Sequence, residues 1–357
     1  MLTPAQVSAL ADAALEVFGT FEARLKAEAA AALKDPATVN RNAVRSALAA
    51  ASHQSARGIE QVAADTLTKA TRTALAADEP LYELARVAGL VAPYAPLAES
   101  PTLARILREG ITTATSMLNI CRTSAEQNVY IGFLDALDSA VVGIVTNAEG
   151  PQAAIRQAVK EVAEHTTMVT YTTEAGGRIE QSLYSAVRRS VITGANQTTL
   201  RCQEVRLQEV GADYVETTAH SGARPEHAVW QGKVFRYPEE FMQETGYGSG
   251  EGLGGYNCSH SFYPYFPGVM EPLDQAVIPN KAENEDAYAL AQRQRECERN
   301  VRLYAGRANV YRAGGIDDEA ARNRALATKW RKEADSVASK SGGIRRRDRE
   351  VADIYPK

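Results

Sequence analysis

Leu10, Ala14, Val17, Phe18, Phe21 and Leu25 recur three and four residues apart, and Val44, Leu48, Ala51, Ile59 and Val62 repeat that spacing beyond Asp35-Pro36. This is the period of a helix with one apolar face, so the pattern predicts two amphipathic helices separated at the proline. Pro80 and the cluster Pro93, Pro96 and Pro101 punctuate the next stretch. Leu103, Leu107, Ala114 and Leu118 then form a third stripe, and Val129, Phe133, Leu137, Ala140 and Ile144 a fourth, ending near Gly150-Pro151. Alanine fills 29 of the first 100 positions, and its low side-chain entropy cost strengthens the helical reading. Residues 1–148 therefore read as an antiparallel helical array. Its small-residue stripes suit close packing, within the array or against a partner.

From Gln152 to about Thr170 the spacing predicts another helix. Leu183, Val187, Val191, Ala195, Cys202 and Val205 predict a long one from near Ile179 to Val210, stopped by Gly211. The pattern then changes. Tyr214 to Thr218 and Lys233 to Phe235 have strand character, and Gly246 to Gly268 is dense in glycine, aromatic residues and proline, the composition of long irregular loops. After Pro279, Val301, Tyr304, Ala308 and Tyr311 make a helical stripe, Gly314-Gly315 turns the chain, and Asp317, Asp318 and Glu319 open a last helix at the end where its dipole favours acids. The predicted fold class is mainly α, with an N-terminal helical array, a smaller α+β loop-rich domain and C-terminal helices.

Composition narrows this picture. With 45% hydrophobic and 24% charged positions in 357 residues, the chain can bury ordinary cores. The longest charge-free stretch, Gly252 to Met270, is too broken by Gly, Pro, Asn and Ser to cross a membrane, which predicts a soluble protein with no membrane partner. The first residues meet Asp12 before any continuous apolar segment forms, so a secretory signal is not expected. Cys121, Cys202, Cys258 and Cys297 lack CxxC spacing, which predicts reduced thiols. From Lys281 onward 18 basic residues face 13 acidic ones, a charge of +5 against −9 for residues 1–280. The excess gathers in Arg345, Arg346, Arg347 and Arg349, which suit a phosphate backbone or an acidic protein surface, although a solvated end has the same composition.

The sharpest local signal is His220, His227, Cys258 and His260: three of the five histidines and one cysteine inside 41 residues. On extended chain, positions i and i+2 face one side, so Cys258 and His260 can converge, and a turn at Gly222 to Pro225 can return His227 toward His220. One thiolate and three imidazoles would satisfy a tetrahedral zinc ion; a hydrogen-bonded cluster bracing the loops is the other reading. Enzymatic alternatives fit less well. No Glu follows either loop histidine at the spacing of a zinc deaminase, and Cys258 sits in no nucleophile motif. The glycines of 246–255 lack the Gly-Lys-Ser/Thr ending of a phosphate-binding loop.

The stretch from Ala219 through His220, Arg224-Pro225, His227, Trp230, Gly232 and Lys233, followed by Thr245 to Gly252 and by Gly255-Tyr256-Asn257-Cys258-Ser259-His260 to Pro267-Gly268, resembles the type 2 minor capsid proteins of tailed phages. A more distant likeness, to the head-morphogenesis domain of Mu-like minor head proteins, aligns Arg189, His220 or His227, and Cys258 with a recurring Arg, His and Cys. This chain departs from that wider group in having Cys258-Ser-His260 where two cysteines are usual, and Ser190 after Arg189. The resemblance implies a structural protein of the phage head, in few copies, bound inside the head at the portal vertex and assembled in the host cytoplasm. It further implies the portal protein as partner, with the major capsid protein and packaged double-stranded DNA as further contacts. Arg189, Arg224, Trp230, Gly232 and Asn257 would be its structural motif. Residues 1–148 would be a helical docking module, 149–280 the α+β domain carrying the His/Cys motif, and 281–357 the C-terminal helices and basic tail. The rival class is an enzyme or toxin-like effector delivered with the genome.

Overall fold

The helical spacings of the first half appear as α1 (Pro4–Ala9), α2 (Asp12–Ala32), α3 (Arg41–Val87) and α4 (Pro101–Thr146) in the computed structural model, which describes residues 1–91, 93–95, 99–146, 150–172, 176–341 and 350. Two expectations change here. Pro80 does not punctuate: it lies inside α3, on an exposed position, and the carbonyl it leaves without a helical partner belongs to the equally exposed Ala76, where water can reach it. The third and fourth stripes are one helix, because no Gly or Pro falls between Leu118 and Val129 and buried Cys121 and Ala125 carry the face across. A stretch of α4 is long and apolar enough to cross a membrane by length and composition, although its apolar residues do not run uninterrupted for roughly 18 positions.

Farther along, α5 (Pro151–Glu164) ends before the β-branched run Thr166, Thr167, Val169, Thr170, whose restricted χ1 favours extended chain. That run forms β1 (Met168–Thr172), paired antiparallel with β2 (Arg178–Ser182), so α6 (Leu183–Val210) begins four residues later than the spacing implied. Gly211, at φ 68°, ends α6: the Ala212 amide bonds the Leu207 carbonyl and the Gly211 amide the Gln208 carbonyl, the arrangement that only a left-handed residue allows. Then come β3 (Tyr214–Thr217), α7 (Pro225–Ala228), β4 (Val234–Arg236), α8 (Glu239–Thr245), β5 (Phe262–Tyr265), α9 (Lys281–Ala313) and α10 (Asp317–Ser341).

The chain forms two compact units, each assembled from three stretches of sequence. One comprises Met1–Ala11, Gln61–Met117 and Arg188–Gln292. Its three-stranded antiparallel sheet has the order β4-β3-β5, with Val215 between Phe235 and Pro264 and Thr217 beside Phe262. Pro264 sits on a strand paired on one side only, where a missing donor is tolerated. Tyr82, Leu200, Leu207, Val215, Trp230, Phe235, Phe241, Leu253, Phe262 and Phe266 pack into one core against this sheet. Segments of α4 and α6 approach closely there, since a Cβ on Gly110 would fall 2.1 Å from Thr198 Oγ1.

The other unit comprises Asp12–Glu60, Leu118–Val187 and Arg293–Lys357. Phe18, Phe21, Leu25, Leu48, Phe133, Leu137, Val159, Val162 and Val301 are buried in it. Gly314 lets the turn between α9 and α10 press on α5, since a Cβ there would come 2.5 Å from Val159. The acids Asp317, Asp318 and Glu319 occupy the first turn of α10, as expected.

Candidate functional site

The site lies in the first unit, where β3 and β5 run together past their paired residues. The Thr218 amide donates to the Ser261 carbonyl at 2.9 Å, and the Ser261 amide donates to Thr218 Oγ1 at 3.0 Å, so the chain leaving β3 is held beside the chain entering β5. This brings His220 next to His260, with ring centroids 4.3 Å apart. Gly222, at φ 76°, then turns the loop, and Asn284 on α9 clamps it by accepting from the Ala223 amide and donating to the Ala223 carbonyl. Pro225 opens α7, which carries His227 inward beneath Trp230. On the far side, Asn196 of α6 donates through Nδ2 to the carbonyls of both Cys258 and His260, each at 3.2 Å. Asn257 takes φ 53°, a left-handed conformation asparagine adopts more readily than most residues.

The result gathers three buried side chains: His260 is 1% exposed, Cys258 2% and His227 3%. Cys258 Sγ lies 3.8 Å from His227 Nδ1 and 3.7 Å from His260 Nδ1, and one ligand atom from each of the three residues falls within 4.8 Å of the others. His220 stands half-buried at the edge, stacked on His260. Of the four residues singled out in the sequence, three therefore converge on one point and the fourth borders it.

Their protonation follows from their partners. His227 Nε2 is 2.7 Å from the Glu251 carbonyl, which can only accept, so the proton of a neutral ring sits on Nε2 and Nδ1 offers a lone pair. Gln231 Oε1 accepts from the His220 amide at 2.7 Å, which fixes it as the oxygen; His260 Nε2, 3.0 Å away, must then donate to it, and again Nδ1 is the bare nitrogen. His220 Nδ1 is 3.0 Å from the Ser221 carbonyl, leaving its Nε2 bare, and that atom is buried without a hydrogen-bond partner. Burial, followed by the neighbouring His220, His227 and Arg224, depresses His260 far below the ordinary imidazole range; burial also lowers His220. Burial pushes the Cys258 thiol up, against the pull of hydrogen bonds from the backbone at His260 and Gly254.

The remaining motif residues act as braces. Arg224 donates to the Tyr256 carbonyl at 2.8 Å, while Arg189 lies over the Tyr256 ring. Trp230 seals the site against the core, and Gly232 combines φ 60° with a position where a Cβ would meet Ile278 at 2.4 Å. Arg345, Arg346, Arg347 and Arg349 lie outside the described residues. Sequence reasoning did not single out Gln231, yet its buried amide orients two of the histidines; its only signal was a polar residue next to Trp230 in the loop.

A family model described as phage minor capsid protein 2 matches residues 29–336. A protein named "Structural protein" from Lactococcus phage LL-H is 28% identical over 210 residues, covering 54% of this chain and 54% of that protein, so the chain spans about half the length of this relative. No solved structure matches the chain.

Proposed function

The chain belongs to the phage minor capsid protein 2 family, as a structural protein of the phage particle, and from that premise we propose that it is a low-copy component inside the head at the portal vertex, aiding head assembly and passage of DNA. The observation that carries this reading is the family match itself, which takes in both compact units rather than the His/Cys segment alone. Assembly takes place in the host cytoplasm, with the portal protein as the principal partner and the major capsid protein and packaged double-stranded DNA as neighbours. Exposed apolar residues on the second half of α4, among them Ile131, Val142 and Val145, support docking on another protein. The basic tail beyond Gly343 is assigned to DNA phosphates or an acidic surface of the portal.

The chemistry of the buried site supports the structural reading over an enzyme delivered with the genome. A nucleophilic cysteine needs an accessible thiolate with a lowered pKa, whereas Cys258 is enclosed and its thiol is shifted upward. Quantitative mass spectrometry of purified particles tests the proposal, combined with a reconstruction of the portal vertex without imposed capsid symmetry. A few copies per particle, with density on the portal's inner side, are expected. Absence from particles, or abundance equal to that of the shell protein, would overturn it.

A further inference from the structure

The geometry points to a metal centre: His227 Nδ1, Cys258 Sγ and His260 Nδ1 bind one zinc-class divalent cation, and His220 Nε2 completes the tetrahedron. This assignment rests on the side-chain arrangement and not on the role in the virion.

Three observations carry it. First, the lone pairs are aimed. Both buried rings have their Nε2 protons committed to oxygen, one to a main-chain carbonyl and one to an amide oxygen, and both present Nδ1 to the same sulfur. A ligating histidine is typically held in this way, its second nitrogen donating to an oxygen that fixes ring and tautomer. Second, hydrogen bonding alone leaves the cluster incomplete. A thiol has one proton and can donate to one Nδ1, so the other would face a sulfur lone pair inside the core, an unsatisfied acceptor of a kind that folded proteins avoid. A cation accepts from both rings and from the sulfur at once. Third, the spacing fits. With Zn–S near 2.3 Å and Zn–N near 2.05 Å, tetrahedral coordination separates sulfur and nitrogen by about 3.6 Å. The two observed separations are 3.7 and 3.8 Å, so closing on an ion requires shifts of a few tenths of an ångström.

The surroundings suit a bound thiolate. The His260 amide donates to Cys258 Sγ at 3.4 Å, which favours sulfur carrying negative charge. One thiolate and imidazoles select a borderline-soft ion of the zinc type over calcium or magnesium, which take oxygen ligands. His220, whose ligand atoms lie outside the group of three, has a bare, buried Nε2 without a hydrogen-bond partner and a ring 4.3 Å from that of His260, and on that ground it is assigned the fourth position. Binding is balanced by loss of the Cys258 proton to solvent as the thiol becomes a thiolate ligand.

The test uses the isolated full chain. Metal content is measured after purification with added zinc and dialysis, and a second sample is loaded with cobalt(II), whose spectrum reports thiolate and tetrahedral ligation. One zinc per chain is expected, with a cobalt thiolate charge-transfer band in the near ultraviolet that zinc displaces, and release of one proton on binding. Cys258→Ser should lose the band. Since that variant could also fail to fold, His220→Gln and Gln231→Ala serve beside it: the first removes the edge ligand and should weaken binding at least tenfold while keeping the band. The second removes the oxygen that orients His260 and should weaken binding by roughly 10- to 100-fold. Less than a tenth of an equivalent of zinc, with no cobalt thiolate band in the folded chain, would overturn the metal centre and leave a hydrogen-bonded cluster. Unchanged affinity in His220→Gln would overturn the assignment of the fourth ligand. Neither result depends on where the protein sits in the particle.

Discussion

Trp230→Ala tests whether the loop-rich segment is one cross-braced unit. The Trp230 ring is 4% exposed, stands 5.0 Å from the His227 ring and 4.6 Å from the His260 ring, and closes the core formed by Phe235, Phe241, Leu253, Phe262 and Phe266. Truncating a fully packed Trp loses its transfer free energy and leaves a cavity, together about 3–5 kcal/mol. A chain of two units need not unfold in one step, so the local opening of the sheet is the appropriate readout. The amides of Thr217 and Thr218 donate across the sheet, to the carbonyls of Lys233 and Ser261, and native-state hydrogen exchange at these two positions reports that opening. At about 1.4 kcal/mol per factor of ten, Trp230→Ala should speed their exchange by roughly two to four powers of ten. Trp230→Phe keeps an aromatic filler and should cost less, about 1–1.5 kcal/mol, or roughly tenfold. An acceleration below tenfold in Trp230→Ala would mean that the ring does not hold β3 to β5, and the reasoning would fail.

Three further outcomes follow from particular contacts. Gly252→Ala would place a Cβ 2.0 Å from the Gly246 carbonyl oxygen, a backbone atom that cannot swing aside, so the loop should loosen at a cost of about 1–3 kcal/mol and become sensitive to limited proteolysis between 246 and 256; resistance equal to the parent chain would refute it. In the other unit, burial and then the Lys26 ammonium lower the pKa of His165, whose Nε2 donates to Asn128 Oδ1 at 2.8 Å, so the folded chain stays neutral there while the unfolded chain takes up a proton below about pH 6.5. That contribution is complete above pH 6.5 and is lost as pH falls toward the folded value; Asn128→Asp should shrink the drop in urea midpoint between pH 7.5 and 5.5, and an identical drop in both proteins would contradict the assignment. Deleting the chain after Gly343 should either lower incorporation into heads or remove salt-dependent DNA binding, whose slope is about 0.9 log units per phosphate neutralised on duplex; no change in either would assign the arginines to solvent.

Periodicity made the long helices legible because their buried faces repeat without interruption: Phe18, Phe21 and Leu25 on α2, and Val187, Val191 and Ala195 on α6, are buried where the spacing put them. Boundaries were legible where backbone geometry forces a residue type, as at Gly211, and illegible where solvent relieves the usual penalty, as at Pro80. The hairpin of β1 and β2 was hidden because Thr166 to Thr172 also carries apolar residues at helical spacing, and only the density of β-branched side chains distinguishes the two. β5 was hidden for another reason: Pro264 argues against a strand until it is known to lie on a one-sided edge. Along β5, strand alternation buries Phe262 and Pro264 and turns Tyr263 and Tyr265 to the half-buried face.

For the site, the sequence disclosed residue types and left their direction unstated. Two-residue spacing was enough to bring Cys258 and His260 together, but the groups that set the tautomers of His227 and His220 are the carbonyls of Glu251 and Ser221, which every residue possesses and no pattern marks. The same fact explains why the loops can be rich in glycine and yet define positions to within a hydrogen bond: their main chain is the scaffold, and side chains at Asn196, Gln231 and Asn284 tie it to helices and sheet. Such a scaffold needs a cross-link where long loops meet. All four cysteines are buried, and if the chain is assembled in a reducing cytoplasm, as proposed, a disulfide would add no lasting constraint. A metal held by His227, Cys258 and His260 would join the segment after β3, the α7 turn and the approach to β5 at one point without any oxidation. On the proposed assignment the constraint would form during folding in the host and persist in the particle, and removing the ion would loosen these three segments together while leaving the helices of the other unit in place.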